Sequence, residues 1–328
     1  MTNITSAVLQ QVQRLRKLAQ RAQRKLLKIQ ASEPMLPLDC QGQAVNELLA
    51  RWVDSGKPLM VSRLGRVEMD AVLRYLNMQA PGSFATKLGR YLFQGNSPFW
   101  WDKDVQAALA NQAGFFPTGE AYLMRFAERM LQDVQSLDIL SSCCPGETWV
   151  RAFFPNAKVT PLADLEPYYH TDPWTQALTG RRVLVISPFE ASIHRQYDRR
   201  HLLFRDPGVL PKFELLTLKA VQSIVGCPTG FKDWFEALDW MCSQIDKMDF
   251  DVAIIGAGAY SLPLAAYVKR MGKQGIHLGG ATQILFGIRG GRWDRMPFFQ
   301  KLYNDHWRRP LAQETPENFK EVEGGCYW

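Results

Sequence analysis

The sequence predicts an α/β fold: a Rossmann-like, mostly parallel sheet flanked by helices, preceded by a basic amphipathic helix. Three features predict it. Continuous apolar runs such as residues 182–187 (RVLVIS) and 251–255 (DVAII) have the length and β-branched content of strands buried on both faces. Helical patterns separate these runs, which implies parallel β-α-β units. Small residues follow the runs, as expected where a ligand approaches the carboxyl ends of parallel strands.

Each element has its own justification. Residues 6–30 carry Val8, Val12, Leu15, Ala19, Ala22, Leu26 and Ile29 at alternating spacings of four and three, a helical stripe. Residues 31–42, with Pro34, Pro37 and Gly42, read as a linker. Residues 58–62 read as a strand and 67–76 as a helix. The stretch 80–120 is rich in Gly, Pro and aromatics (Phe93, Phe99, Trp100, Trp101, Phe115, Phe116), and is expected to be irregular and to form part of a pocket. A helix over 120–135 and a strand over 137–141 follow, then strands at 182–187 and 213–218. A helix over 234–248 leads to the strand at 251–255. The next helix, 261–271, has Ser261 as its expected cap, Pro263 in its first turn and Gly272 past its end. Strands are expected at 275–278 and 284–288. The chain therefore divides into a basic helix (1–32) and a catalytic domain (43–328), the latter with two α/β halves meeting near residues 178 and 179.

Charge narrows the partners. The net charge is +7, from 39 Lys and Arg against 32 Asp and Glu, and residues 1–32 hold seven cations with no acid. The body is therefore balanced, which argues against nucleic acid as a partner. A parallel coiled coil of the basic helix would repel itself. An anionic membrane surface contacted through residues 6–30, or an acidic partner, fits that charge; a solvated helix packed on its own domain fits it too. The longest uncharged run, 252–268, contains Gly-Ala-Gly and Ser-Leu-Pro and is not a membrane span. With no secretory h-region, a cytoplasmic protein, peripheral at the inner membrane face, is expected. Six cysteines lack any C-x-x-C pair, so reduced thiols and no zinc are expected, and adjacent Cys143 and Cys144 are poor partners for an ordinary disulfide.

Three strand-to-loop junctions carry candidate chemistry. After DVAII come Gly256, Gly258, Tyr260 and Ser261, a loop in which the backbone comes close to a phosphate at a helix start. Ser261 occupies the third glycine position of a dinucleotide fingerprint, and the next strand ends in His277-Leu278-Gly279-Gly280 with no ribose-binding acid, so NAD is not expected. Nor is haem. At the end of RVLVIS and just beyond it, Ser187 and Ser192 precede Gln196, Tyr197 and a run of arginines suited to a diphosphate. After the first strand, Arg63 faces a phosphate, Gly65 makes the turn, and Glu68 and Asp70 supply a base or metal ligand. Acids in a first helical turn also suit the helix dipole. Asp164, Glu166, Tyr168, Tyr169 and His170 form a weaker cluster, and a lone His170 or His277 reads as structural.

Arg63-Leu64-Gly65-Arg66-Val67-Glu68 resembles the R-x-G-x-x-E signature of GT-D type glycosyltransferases, bacterial enzymes of surface-glycan and glycoprotein assembly. The blocks at 182–197 and 251–293, and the closing EGGCYW, resemble proteins of bacterial polysaccharide loci. The resemblance implies a Rossmann-like core, a nucleotide-sugar donor, a glycan or lipid-linked acceptor, and a divalent metal (Mn²⁺ or Mg²⁺) on an Asp-x-Glu pair. Arg63, Gly65 and Glu68 match it, whereas the family Asp falls on Arg66, which leaves Glu68 as the metal ligand carried over. The expected activity is glycosyl transfer, with Glu68, Arg63 and Asp70 as catalytic candidates. Gly65, Ser187, Ser192, Gln196, Tyr197, Gly256, Gly258, Tyr260, Gly279 and Gly280 are the donor-binding candidates. A pyruvyl or polyol-phosphate transferase and a non-catalytic, membrane-associated assembly subunit stay open as alternatives.

Overall fold

The computed structural model describes residues 11–18 and 35–328. In chain order the regular elements are α1 (Gln43–Asp54), β1 (Leu59–Ser62), α2 (Arg66–Gln79), α3 (Phe84–Phe93), α4 (Lys103–Ala108), α5 (Glu120–Asp133), β2 (Ile139–Ser142) and β3 (Lys158–Pro161). Then follow β4 (Arg182–Ser187), α6 (Glu190–Tyr197), β5 (Glu214–Lys219), α7 (Trp234–Ile245), β6 (Val252–Ile255), α8 (Ser261–Arg270), β7 (Gln274–His277), α9 (Ala281–Leu285) and α10 (Pro297–Leu302).

The seven strands form one sheet in the order β3-β2-β1-β7-β6-β4-β5, and every pairing is parallel. The Rossmann-like expectation therefore holds. Strand side chains alternate between two apolar layers, as a period of two requires. Met60, Leu184, Ile186, Ala253 and Ile255 pack beneath α2, α5, α7 and α8. Leu59, Val61, Val183, Val185, Val252 and Ile254 pack beneath α1, α6 and α9. Both faces are covered, which is why these strands read as unbroken apolar runs. The chain works outward from β1 to β3, crosses to β4, and returns to β7 beside β1. Adjacent strands whose connections leave in opposite directions leave a crevice between their carboxyl ends.

The structure corrects the sequence reading in several places. Residues 80–120 are more regular than expected: Ser83 Oγ caps α3 by accepting from Thr86 N, and Asp102 Oδ1 caps α4 by accepting from Val105 N. Buried Arg74 pins this region, donating to Asp102 (2.9 Å) and to the Trp100 carbonyl (3.1 Å). Residues 281–285 are the helix α9, and Ile288 forms only an isolated bridge with Arg308, so 284–288 is not a strand. A short run buried all round shows no period that distinguishes helix from strand. Ser261 does not cap α8: its hydroxyl accepts from Ala257 N (2.8 Å) and tightens the loop before the helix. Residues 11–18 are helical, and Arg16 lies over the Tyr91 ring (4.3 Å) and donates to Gly95 O. The rest of the basic stripe at 6–30, and linker residues 31–34, lie outside the described residues.

α8 packs directly on β7 because Gly275 has no side chain: a Cβ there would lie 2.7 Å from Ala265 O and 2.9 Å from Ala265 Cα. Neither is a flexible group that can move aside. Gly275→Ala should destabilise the fold by ~1–3 kcal/mol through overpacking, read as a lower urea midpoint with an unchanged slope.

Candidate functional site

Parallel strands bring seven carboxyl ends to one rim, and a cavity of about 550 Å³ opens there. Every strand supplies part of its wall. Arg63, Gly65, Arg66 and Glu68 follow β1, Cys143 and Cys144 follow β2, and Leu162 follows β3. Ser187 ends β4 and Phe189 follows it, Gln222 and Ser223 follow β5, Gly256, Gly258 and Tyr260 follow β6, and His277 ends β7 with Gly279 and Gly280 after it. The three junctions singled out in the sequence, remote along the chain, therefore meet in one cavity.

Arg63 occupies the parting of β1 and β7. Its guanidinium rests against Gly279, where a Cβ would come within 2.9 Å of Nη2, and Gly279 has a left-handed φ of 63°. The left-handed φ is what favours glycine there, and the missing side chain leaves the space in which the guanidinium rests. Arg63 Nε is buried without a hydrogen-bond partner, and Arg63 makes no ion pair among the described residues. A buried, unsatisfied cation-bearing donor at a cavity wall suits an anionic ligand.

Glu68 lies in the first turn of α2, and its carboxylate folds back over Gly65: a Cβ there would lie 2.0 Å from Oε2. Gly65 lies in the turn between β1 and α2 with an ordinary φ of −67°, and its missing side chain supplies room for Glu68. Burial raises the Glu68 carboxyl above its ordinary range, opposed by a hydrogen bond from its own backbone N–H and by the Arg63 charge. His277 is buried, with Nδ1 2.9 Å from Ser62 Oγ, and burial followed by the Arg63 charge pushes it well below its usual value. It is neutral at pH 7, held where the sequence suggested only a packing residue.

Beyond β2, Glu147 is fully buried and accepts from Ser142 Oγ, Cys143 N (3.1 Å) and Cys144 N (3.3 Å). Burial raises its carboxyl, and these donors oppose the rise. The Cys143 and Cys144 sulfurs lie 3.5 Å apart. Sharing a hydrogen bond drives the Cys143 thiol up and the Cys144 thiol down.

Several candidates lie elsewhere. Asp70 is in an ion pair with Arg74 (3.0 Å) on the flank of α2 and does not line the cavity. Ser192 Oγ donates to buried Glu314, whose carboxylate also accepts from Ser192 N (3.1 Å). Gln196 Nε2 donates to Gly287 O (2.8 Å) and His306 O (3.2 Å). Tyr197 OH joins Phe213 N and O (2.7 and 2.8 Å). These three residues of α6 anchor neighbouring segments and do not face the cavity. Ser187 lines it, but its hydroxyl accepts from Phe189 N (3.2 Å) to shape the turn. Asp164 accepts from Gly42 N at the start of α1, so of the 161–170 loop it is Leu162 that reaches the wall.

The sequence reading missed the closing segment. Arg292, Glu323, Tyr327 and Trp328 also line the cavity. Arg292 pairs with Glu323 and lies over the Tyr327 ring (4.9 Å), while Trp328 Nε1 donates to Glu314 O (3.0 Å). The paired glycines of RGGRW and EGGCYW were the available signal.

The residues present do not fit a Mn²⁺ or Mg²⁺ centre on Glu68. Hard cations want several oxygen ligands, but Arg66 stands where the resemblance would put an Asp, Asp70 is paired with Arg74, and no metal-ligand cluster among the described residues includes Glu68. No family model matches the chain, and no curated protein or solved structure matches it either.

Glu68 is half-buried at the cavity wall, and the raised pKa of its carboxyl makes a pH prediction. Its folded pKa is raised, so the protonated form suits the fold, and the stability it contributes below the ordinary value of 4.5 is lost as pH rises through the raised value. Glu68→Gln has no charge to bury. In urea denaturation from pH 4 to 8, the stability difference should shift in favour of the variant with rising pH; a constant difference would contradict the burial.

Proposed function

We propose that the chain is a nucleotide-sugar-dependent glycosyltransferase, acting on a glycan or lipid-linked acceptor. The observation that carries this reading is the Arg63 guanidinium, without an ion pair among the described residues, beside Glu68 in a cavity that all seven strand ends line. The cavity volume, about 550 Å³, suits a nucleotide-sized ligand. Arg63, with exposed Arg66 at the rim, would hold the diphosphate and neutralise charge as it leaves the anomeric carbon. Glu68 would take the acceptor hydroxyl proton, and a carboxyl raised towards neutrality by burial is better matched to that task than an exposed one. The Gly256–Gly258 loop, Tyr260 and Gly279–Gly280 would bound the donor. Neutral His277, adjacent to Ser62, would offer a hydrogen bond without a further charge.

On this reading the basic helix brings the enzyme to an anionic membrane surface at the inner, cytoplasmic face, where lipid-linked acceptors lie. Leu15 and Leu18 are exposed beside Arg14 and Lys17, and no helix among the described residues is long and apolar enough to cross a membrane.

Melting curves with UDP-, GDP-, CMP- and dTDP-sugars, with and without Mn²⁺, test ligand class and metal need together. One donor class should raise the melting temperature without metal; a site filled at 100 times Kd gains about 2.7 kcal/mol. Arg63→Gln should abolish that shift. Glu68→Gln should retain it and lose turnover by roughly 10²–10⁴-fold. Absence of any donor-induced shift, or full activity in Glu68→Gln, would end the proposal.

A further inference from the structure

The cavity wall beyond β2 holds a second chemistry that the Arg63–Glu68 pair does not use. Cys143 and Cys144 both line the cavity, their sulfurs 3.5 Å apart. With a Glu147 carboxylate oxygen, the ligand atoms all lie within 4.8 Å of one another, the one such group of three among the described residues. We infer that Cys143, Cys144 and Glu147 form a binding site for a thiophilic divalent cation, Zn²⁺ by its chemistry, with an open coordination position facing the cavity.

Three arguments support it. Zinc–thiolate bonds are about 2.3 Å long, so sulfurs at this spacing subtend roughly 100° at a shared metal, close to the tetrahedral angle. Glu147 retains capacity: an ionised carboxylate has about four lone-pair sites. Two of these, on Oε1, take Cys143 N and Cys144 N, and one on Oε2 takes Ser142 Oγ. The remaining one is free to coordinate. Those hydrogen bonds also fix the carboxylate, the role that outer contacts play around metal ligands. Finally, two thiolates and one carboxylate bring three negative charges, and a divalent cation leaves one. The Arg63 and Arg66 charges reach Cys144 and offset it. Soft sulfur donors select zinc over magnesium, and three protein ligands leave the fourth position to water or to a ligand oxygen. Each thiol releases its proton to solvent on binding. The spacing Cys-Cys-x-x-Glu matches no common zinc pattern, so only the fold reveals the group.

The site is tested on the full chain, reduced and stripped of metal, with Co²⁺ as a spectroscopic substitute for Zn²⁺. One equivalent of Co²⁺ should produce thiolate-to-metal charge-transfer absorption that Zn²⁺ bleaches. Cys143→Ser and Cys144→Ser should each abolish it, Glu147→Gln should weaken Co²⁺ binding tenfold or more, and Cys40→Ser should leave it unchanged. A measurement on the unaltered protein guards against variants that misfold: Zn²⁺ should slow maleimide labelling of Cys143 and Cys144, mapped by peptide mass, and not of Cys227. No absorption with the native chain, absorption that survives both cysteine substitutions, or labelling indifferent to Zn²⁺ would overturn the inference. None of these outcomes depends on sugar transfer.

Discussion

Arg63 leaves β1 and packs its guanidinium against Gly279, on the loop that leaves the neighbouring strand β7. Those two strands are adjacent and parallel, but one opens the sheet and the other closes it, so the connections on either side run apart. A cation is thereby fixed where the crevice must form, with one N–H buried and unsatisfied. Leaving such a donor unpaired costs on the order of 1–3 kcal/mol, a cost the fold carries and an anionic ligand would relieve. Neighbouring groups are tuned by the same charge: it opposes the rise of Glu68 and helps to keep His277 neutral.

What the sequence made legible follows from burial. β4 and β6 lie in the interior of the sheet, so 182–187 and 251–255 stood out as apolar runs with little ambiguity. β3 is an edge strand with exposed Lys158 and a terminal Pro161, and such a segment does not read as a strand at all. Gly256 signalled close approach and Gly65 a turn, though only coordinates show that Gly65 makes room for Glu68 and Gly279 for Arg63. Residues of α6 looked functional because polar groups clustered after a buried strand. Sequence proximity could not show that Ser192 turns to Glu314 and Gln196 to Gly287.

Those misassigned residues still serve the cavity, one step removed. Glu314, held by Ser192, lies in the same segment whose carbonyl accepts from the Trp328 indole. Gln196 ties α6 to the loops at Gly287 and His306, and Gln283 Nε2 on α9 donates to Tyr327 O. Through these buried contacts the final residues are fastened across the open rim, and Tyr327 and Trp328 become wall. A long stretch after the last strand is thus a closing element whose position depends on polar side chains of α6 and α9.

Arg66 stands where the resemblance implies an Asp, and on the proposed reading this would change how charge on a donor is met. If the proposed donor binds here, a carboxylate at this position would recruit a hard cation to its diphosphate, whereas a guanidinium would meet the diphosphate directly, through fixed N–H donors. Arg66 is exposed at the rim and makes no ion pair among the described residues, and Arg63 below it is equally uncommitted. On the proposed reading, two such cations lining the cavity would deliver the positive charge that a divalent ion supplies elsewhere. They also make this part of the cavity inhospitable to Mg²⁺, since a cation among cations needs a strongly anionic ligand set. The inferred Cys143–Cys144–Glu147 site would offer such a set with sulfur, which would shift the metal chemistry of this cavity from hard to soft.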